Sequence, residues 1–167
     1  MLCPVLTCRT AEELLTEQRQ WMAEGARLVE WRLDHVQETL NLPALLAARP
    51  GPVIVTVRRP EDGGLWRGEE EQRRALLRQA VAAGVEYVDL EPDAADAIPR
   101  SGATQRIVSR HDFQGTPADL YSLYEELASH DADIVKLATL ATCISRRRRL
   151  RCPTSNSSRP GFSSRSA

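Results

Sequence analysis

Residues 131–141 read Asp-Ala-Asp-Ile-Val-Lys-Leu-Ala-Thr-Leu-Ala, an apolar run with a lysine near its middle. A run of aliphatic and β-branched residues of this length predicts a buried strand. Of the 22 basic residues of the chain 21 are arginine, so Lys136 is the sole lysine. A buried lysine amine can lose its proton and act as a nucleophile, whereas arginine stays protonated. Lys136 is therefore a Schiff-base candidate; the alternative is an amine that reaches water from a strand end.

Predicted strands and helices alternate along the chain up to this run. The strands are expected at residues 1–6, 27–33, 52–57, 85–90, 104–109 and 131–141. The helices are expected at residues 10–25, 38–48 and 69–83 and from a Thr116 cap onward, with a short proline-containing connection after the fourth strand. Such alternation predicts βαβ units and a parallel sheet, which is either doubly wound or arranged as a (β/α)8 barrel.

Polar residues two apart in sequence lie at the carboxyl ends of three predicted strands. The pairs are Glu30 with Arg32, Thr56 with Arg58, and Ser109 with His111. Residues at this spacing share one face of a strand, and barrel enzymes collect their catalytic groups at these strand ends. The turn after the first strand lacks the glycines typical of a nucleotide-binding sheet. We therefore favour an α/β fold of the TIM-barrel type, incomplete, with about six βα units.

The bulk composition is that of one soluble globular domain. The chain has 167 residues, of which 42% are hydrophobic and 27% charged. No apolar run is long enough to span a bilayer, and no signal peptide is recognisable, so we expect a cytoplasmic protein without membrane contact. The four cysteines lack metal-type spacing, which favours reduced thiols and no metal site.

Residues 145–167 differ in composition from the rest of the chain. They hold seven arginines and no acidic residue, which leaves 15 basic and 23 acidic residues in the body. We predict a partial barrel domain over residues 1–144 and a disordered Arg/Ser-rich tail over residues 145–167. A basic tail can bind phosphates, but we expect no nucleic-acid partner because Phe162 is its only aromatic residue. We favour an altered reading frame or an imperfect gene model as the origin of the tail.

Four motifs in a fixed order give the chain a resemblance to a known family. They are Glu-Trp-Arg-Leu-Asp at residues 30–34, Arg-Arg-Pro-Glu-Asp-Gly-Gly at 58–64, Ser-Arg-His-Asp-Phe at 109–113, and Val-Lys at 135–136. Over about residues 1–141 the chain resembles type I 3-dehydroquinate dehydratase. The resemblance implies a homodimeric barrel enzyme without a cofactor. It would dehydrate 3-dehydroquinate to 3-dehydroshikimate, a step of the shikimate pathway of aromatic amino acid biosynthesis.

The resemblance also implies roles for single residues. Lys136 matches the lysine that forms the Schiff base, and His111 matches the general acid and base. Asp62 matches a carboxylate that orients the histidine, although many family members have glutamate there. The residues that match substrate-binding positions are Glu30, Arg32 and Arg58.

The chain departs from the family after the lysine strand. A (β/α)8 barrel takes about 250 residues, so the arginine that the family places on strand seven and the serine and glutamine after strand eight have no counterpart. We expect a chain that is truncated or frame-altered after about residue 141. Two alternatives to an active dehydratase stay open: an inactive remnant of the family, and another class I Schiff-base barrel enzyme such as an aldolase.

Overall fold

A computed structural model describes residues 2–141 as one parallel sheet with helices on its outer face. The strands lie side by side in chain order and form a half-barrel, an incomplete version of the TIM-type barrel. The strands are β1 (Val5–Leu6), β2 (Val29–Arg32), β3 (Val53–Thr56), β4 (Tyr87–Leu90), β5 (Gln105–Asp112) and β6 (Ile134–Thr139). The α-helices are α1 (Ala11–Ala23), α2 (Leu42–Ala47), α3 (Glu70–Ala82), α4 (Pro92–Ala97) and α5 (Leu120–Ser129). The predicted tail at residues 145–167 lies outside the described residues.

Local sequence signals account for the first helix. The Glu13 amide donates a 3.2 Å hydrogen bond to Thr10 Oγ1, and the Glu13 carboxylate accepts one from the Thr10 amide. This capping box satisfies amides that would otherwise lack partners at the helix start. After the helix, Gly25 has a φ of 98°, a conformation that glycine adopts without steric cost. The predicted start and end of α1 are confirmed.

Other helix boundaries differ from the prediction. Helix α2 begins at Leu42 rather than near residue 38, because Asn41 caps it and Pro43 occupies its first turn, where a missing amide costs little. The connection after β4 is not a loop but the short helix α4. Helix α5 begins at Leu120, since the Asp119 carboxylate accepts hydrogen bonds from the amides of two residues that follow it. The predicted cap at Thr116 was wrong.

Apolar residues fill two separate regions. The main core lies between the sheet and the helices and includes Leu14, Trp31, Leu77 and Val88, all of which are fully buried. A smaller cluster lies on the inner face of the half-barrel, toward the amino ends of the strands. Its members are Leu28, Ile54 and Ile107, with Tyr87 packed against them. The inner face therefore has an apolar floor, as barrel interiors commonly do.

The lysine strand is less buried than its sequence predicts. Ile134 and Leu140 are 42% and 50% exposed, whereas Val135 and Leu137 pack partly against the main core. Within residues 2–141, β6 pairs only with β5, so its other edge has no neighbouring strand. The expectation of a buried strand was wrong because burial there depends on pairing and not on the strand's own composition.

No helix within residues 2–141 combines the length and the apolar character needed to cross a membrane. Cys3 and Cys8 are free thiols, and Cys143 and Cys152 lie outside the described part of the chain.

We predict that Gly64→Ala destabilises the fold. A Cβ at Gly64 would overlap the backbone carbonyl of Arg58, and the Gly64 amide is already bonded to the Arg59 carbonyl at 2.7 Å. Relief requires a backbone shift, for which we expect a loss of about 1–3 kcal/mol in the free energy of unfolding, measured with urea. Gly115→Ala is the matched control, since a Cβ there meets no atom within 4 Å. Equal stability of the two variants would contradict this account.

Candidate functional site

Above the apolar floor, the inner face of the half-barrel carries charged and hydroxyl side chains. Thr56 on β3 is level with Asp89 on β4, and Ser109 on β5 is level with Lys136 on β6. Alternate residues of a strand face the same side, so the register brings these groups to the same wall. They lie toward the carboxyl ends of the strands, where barrel enzymes hold their active sites.

The Asp89 carboxylate is at the centre of this layer. It is fully buried and accepts hydrogen bonds from Arg58 Nη2 at 2.8 Å, Ser109 Oγ at 2.5 Å and Lys136 Nζ at 2.9 Å. Burial alone would raise the pKa of Asp89, but Arg58 and Lys136 outweigh burial and hold the pKa below its usual value. Asp89 therefore carries a negative charge between two cations at neutral pH.

A second buried carboxylate continues the network toward helix α3. Glu91 accepts a 2.6 Å hydrogen bond from Arg58 Nη1 and another of 2.6 Å from Arg73 Nη1. The Arg73 side chain is completely buried, and it also donates to the Val57 carbonyl at 2.9 Å and to Glu70. Arg58 is thus held by Asp89 on β4 and by Ser109 on β5. Arg73 on helix α3 holds its third partner, Glu91.

The Lys136 amine contacts carboxylates of the inner wall, and the side chain remains partly open to solvent. Its side chain is 36% exposed, and Nζ lies 2.9 Å from Asp89 Oδ2 and 3.5 Å from Glu30 Oε2. Glu30 is held in turn by Thr56 Oγ1 at 2.9 Å. Burial alone would lower the pKa of Lys136, but Asp89 and Glu30 outweigh it and raise the pKa above its usual value. Two carboxylates therefore stabilise the ammonium form of Lys136 against the desolvation that would favour a neutral amine.

His111 lies on the same face of β5 as Ser109, the residue level with Lys136. Two residues of strand separate His111 from Ser109 by roughly 7 Å. Burial, together with the positive charges of Arg58 and Lys136, lowers the pKa of His111 to about 4. Its Nδ1 is buried without a hydrogen-bond partner among the described residues. The imidazole is therefore neutral at pH 7 and can accept a proton.

The other two predicted residues have partners beside the charged layer. The Arg32 guanidinium donates to both carboxylate oxygens of Asp34, at 2.8 and 2.7 Å, and remains 18% exposed. Asp62 accepts a 3.0 Å hydrogen bond from Arg59 Nε. Within residues 2–141 no hydrogen bond joins Asp62 to His111, although the charge of Asp62 raises the pKa of His111 slightly against the larger lowering effects.

The structure adds three residues that the sequence analysis did not select: Asp89, Glu91 and Arg73. Asp89 and Glu91 stand in the sequence Val-Asp-Leu-Glu at residues 88–91, where acids alternate with buried apolar residues. Ionised side chains at alternate positions of an otherwise buried strand require buried partners, so this pattern was a usable signal. Arg73 gave no such signal, because it lies among other charged residues of an amphipathic helix.

The described residues do not suggest a metal centre. No group of three or more His, Cys, Asp or Glu side chains within residues 2–141 is arranged to hold a metal ion. The carboxylates of the site are bonded to arginine and lysine instead. The arrangement offers an amine, a neutral imidazole and a fixed set of charges, which suits proton transfer and attack on a carbonyl group.

The parallel half-barrel and the charged layer at the carboxyl ends of its strands define a protein of the TIM-barrel class, incomplete over the described residues. The sequence model of type I 3-dehydroquinase matches residues 2–160. The chain therefore belongs to the type I 3-dehydroquinase family. The six parallel strands in chain order agree with this membership.

Individual relatives agree with the family match. The 3-dehydroquinate dehydratase of Syntrophobacter fumaroxidans is 39% identical over 132 residues, which are 72% of this chain and 56% of that protein. The enzyme of the same name from Methanopyrus kandleri is 34% identical over 147 residues, or 84% of this chain and 67% of that protein. The solved 3-dehydroquinate dehydratase of Enterococcus faecalis has a TM-score of 0.74 at 28% identity, with 84% of this chain and 66% of that chain covered. The chain thus spans about half to two thirds of the length of these relatives.

We predict that Arg73→Met strongly destabilises the protein. Removal of the guanidinium leaves the buried Glu91 carboxylate with one cation fewer, and breaking a buried ion pair on one side costs about 3–5 kcal/mol. Arg78→Met is the control on the same helix, because its ion pair with Glu71 is exposed and worth about 0–1 kcal/mol. Urea unfolding of both variants gives the comparison. Similar losses would show that Arg73 contributes only as a surface charge does.

Proposed function

We propose that this chain carries the Schiff-base site of a 3-dehydroquinate dehydratase, which eliminates water from 3-dehydroquinate to give 3-dehydroshikimate. The observation that carries the proposal is the position of the sole lysine. Its amine faces the inner wall between Asp89 and Glu30, on the strand next to that of His111, in a chain that belongs to the type I 3-dehydroquinase family.

The first step joins Lys136 to the substrate ketone. The resting ammonium gives a proton to a base, for which the neutral His111 is suited, and the free amine attacks the carbonyl carbon to form a carbinolamine. His111 returns this proton to the departing hydroxyl group, so loss of water gives a protonated imine and leaves the imidazole neutral again. The carboxylates of Asp89 and Glu30 that favour the ammonium also favour this cation, because the positive charge stays on the same nitrogen. They make the amine harder to deprotonate but stabilise the intermediate that activates the substrate.

The second step is the elimination. The protonated imine withdraws electrons from the adjacent carbon, so His111 can remove a proton there to leave an enamine. The nitrogen lone pair then re-forms the C=N bond, and the enamine C=C electrons form the new C=C bond to the carbon that bears the hydroxyl group. The C–O bond breaks as this happens, and the imidazolium supplies the proton that turns the departing hydroxyl group into water. Hydrolysis then consumes one water and releases the product and the amine. The net change is the loss of one water from the substrate, and His111 ends in its starting state.

Glu30, Arg32 and Arg58 hold the substrate and set its electrostatic environment in this proposal. The contact of Arg32 with Asp34 uses two of the five guanidinium N–H groups, so others can bind substrate oxygens. Arg58 is engaged by Asp89, Glu91 and Ser109, which makes it a fixed positive charge rather than an adaptable ligand. Asp62 acts on His111 through its charge, and Arg59 holds it in place.

We predict that borohydride traps 3-dehydroquinate on Lys136. Reduction of the imine makes the bond permanent, and the protein mass increases by that of the reduced adduct. Because the chain has a single lysine, peptide mapping needs to distinguish only Lys136 from the terminal amine. Lys136→Arg keeps the positive charge but cannot form an imine, so it serves as the matched control. An unmodified mass in a folded wild-type sample would contradict the Schiff-base mechanism.

The depressed pKa of His111 predicts an unusual dependence of turnover on pH. The base form is the active form, and a pKa of about 4 keeps it populated well below the ~6.5 of an ordinary histidine. We expect kcat/KM to stay level down to about pH 5 and to halve near pH 4, since this ratio reports the free enzyme. Circular dichroism at each pH shows whether the fold persists. His130→Gln should leave the profile unchanged, and an acidic limb near pH 6.5 in wild type would refute the assignment.

A further inference from the structure

We propose that Phe113 is a positioning residue that holds the His111 imidazole and excludes water from it, and that Gly63 is the surface on which the phenyl ring rests. Phe113 follows directly after β5, two residues beyond His111 on the chain. The ring centroids of the two residues are 6.3 Å apart and their planes are inclined by 19°, an offset stack. The inference rests on the proposed role of His111, but the test below needs no substrate.

The position of Phe113 is fixed from both sides. The Asp112 carboxylate accepts hydrogen bonds from the amides of Gln114 at 2.8 Å and Gly115 at 3.1 Å, which closes the turn that carries Phe113. On the far side, the ring packs so closely over Gly63 that a Cβ there would overlap it. Gly63 ends the short 3₁₀ helix Pro60–Asp62 with a φ of 81°. The ring therefore connects the loop after β3 to the imidazole on β5.

The exposure of the ring also suggests a role outside the core. Phe113 is 60% exposed and belongs to neither apolar cluster, so general core packing does not explain its position. It lies against a half-buried histidine whose Nδ1 is sealed from solvent. A phenyl ring against one face of an imidazole removes water that would otherwise hydrate the imidazolium.

Two opposite effects of the ring can be separated. The negative face of a phenyl group favours a cation beside it, which would raise the pKa of His111, whereas exclusion of water lowers it. Burial is the largest cause of the low pKa of His111, which is the direction expected from exclusion of water. Charged groups on four other parts of the chain also act on the imidazole: Arg58 after β3, Asp62 in the 3₁₀ helix, Asp89 on β4 and Lys136 on β6. None of them is altered by changing Phe113.

The experiment is an NMR titration of the His111 Cε1–H resonance of the full chain, from about pH 3 to about pH 8, assigned with a His111→Gln sample. In Phe113→Ala we expect the midpoint to rise by about 1 pH unit or more as water reaches the imidazole. Phe113→Leu keeps part of the apolar cover and should show a smaller rise. Tyr121→Ala is the matched control, because it removes an aromatic ring of similar exposure, 63%, from helix α5.

Gly63→Ala provides a second approach that leaves the ring in the chain but displaces it, and it should also raise the midpoint. Unchanged midpoints in folded Phe113→Ala and Gly63→Ala samples would overturn the inference. A purely structural role predicts loss of stability without a change in the midpoint, and that outcome would overturn it as well. If the midpoint rises but borohydride traps no adduct in wild type, the proposed function fails and the role of Phe113 stands.

Discussion

The rest of the site depends on one buried carboxylate that is shared by two cations. Asp89 binds Arg58 with one oxygen and Lys136 with the other, and Ser109 completes its set of hydrogen bonds. An isolated ionised carboxylate would be very costly in this position. The cost is offset only because three separate strands deliver their donors to the same place. The register of the parallel strands is therefore also what brings the charged groups of the site together.

This constraint explains the electrostatic state of both reactive groups. The carboxylates keep Lys136 charged, and the nearby cations, together with burial, keep His111 neutral. In the proposed mechanism, an amine that must lose a proton therefore lies near an imidazole that is free to accept one. In an ordinary setting the imidazole would be partly protonated at mildly acidic pH and so partly unavailable as a base. The network thus keeps the imidazole in its base form, but it also widens the pKa gap that transfer of the Lys136 proton must cross.

The sequence predicted the features that repeat along the chain and missed those that depend on a distant partner. Alternation of strands and helices gave the parallel sheet, and residues two apart gave the face shared by Ser109 and His111. Face assignment does not reveal partners, however: the carboxylates around Arg58 come from a strand more than thirty residues away. The same limit explains the unexpected exposure of β6 and the charged state of Lys136. Asp62 shows a further limit, since Arg59, three residues away, competes for a carboxylate expected beside the histidine.

The apolar floor beneath the charged layer has a consequence for folding. Leu28, Ile54 and Ile107 can cluster in several sliding alignments of the strands, because apolar contacts are not directional. A displacement by two residues keeps every side chain on its own face but moves each charge by roughly 7 Å along the strand, so the salt bridges above the apolar cluster tolerate only one alignment. Hydrophobic collapse can bring the strands together early, and the ionic layer then rejects incorrect alignments. The charged groups proposed for catalysis would in this way also select the correct alignment of the strands during folding.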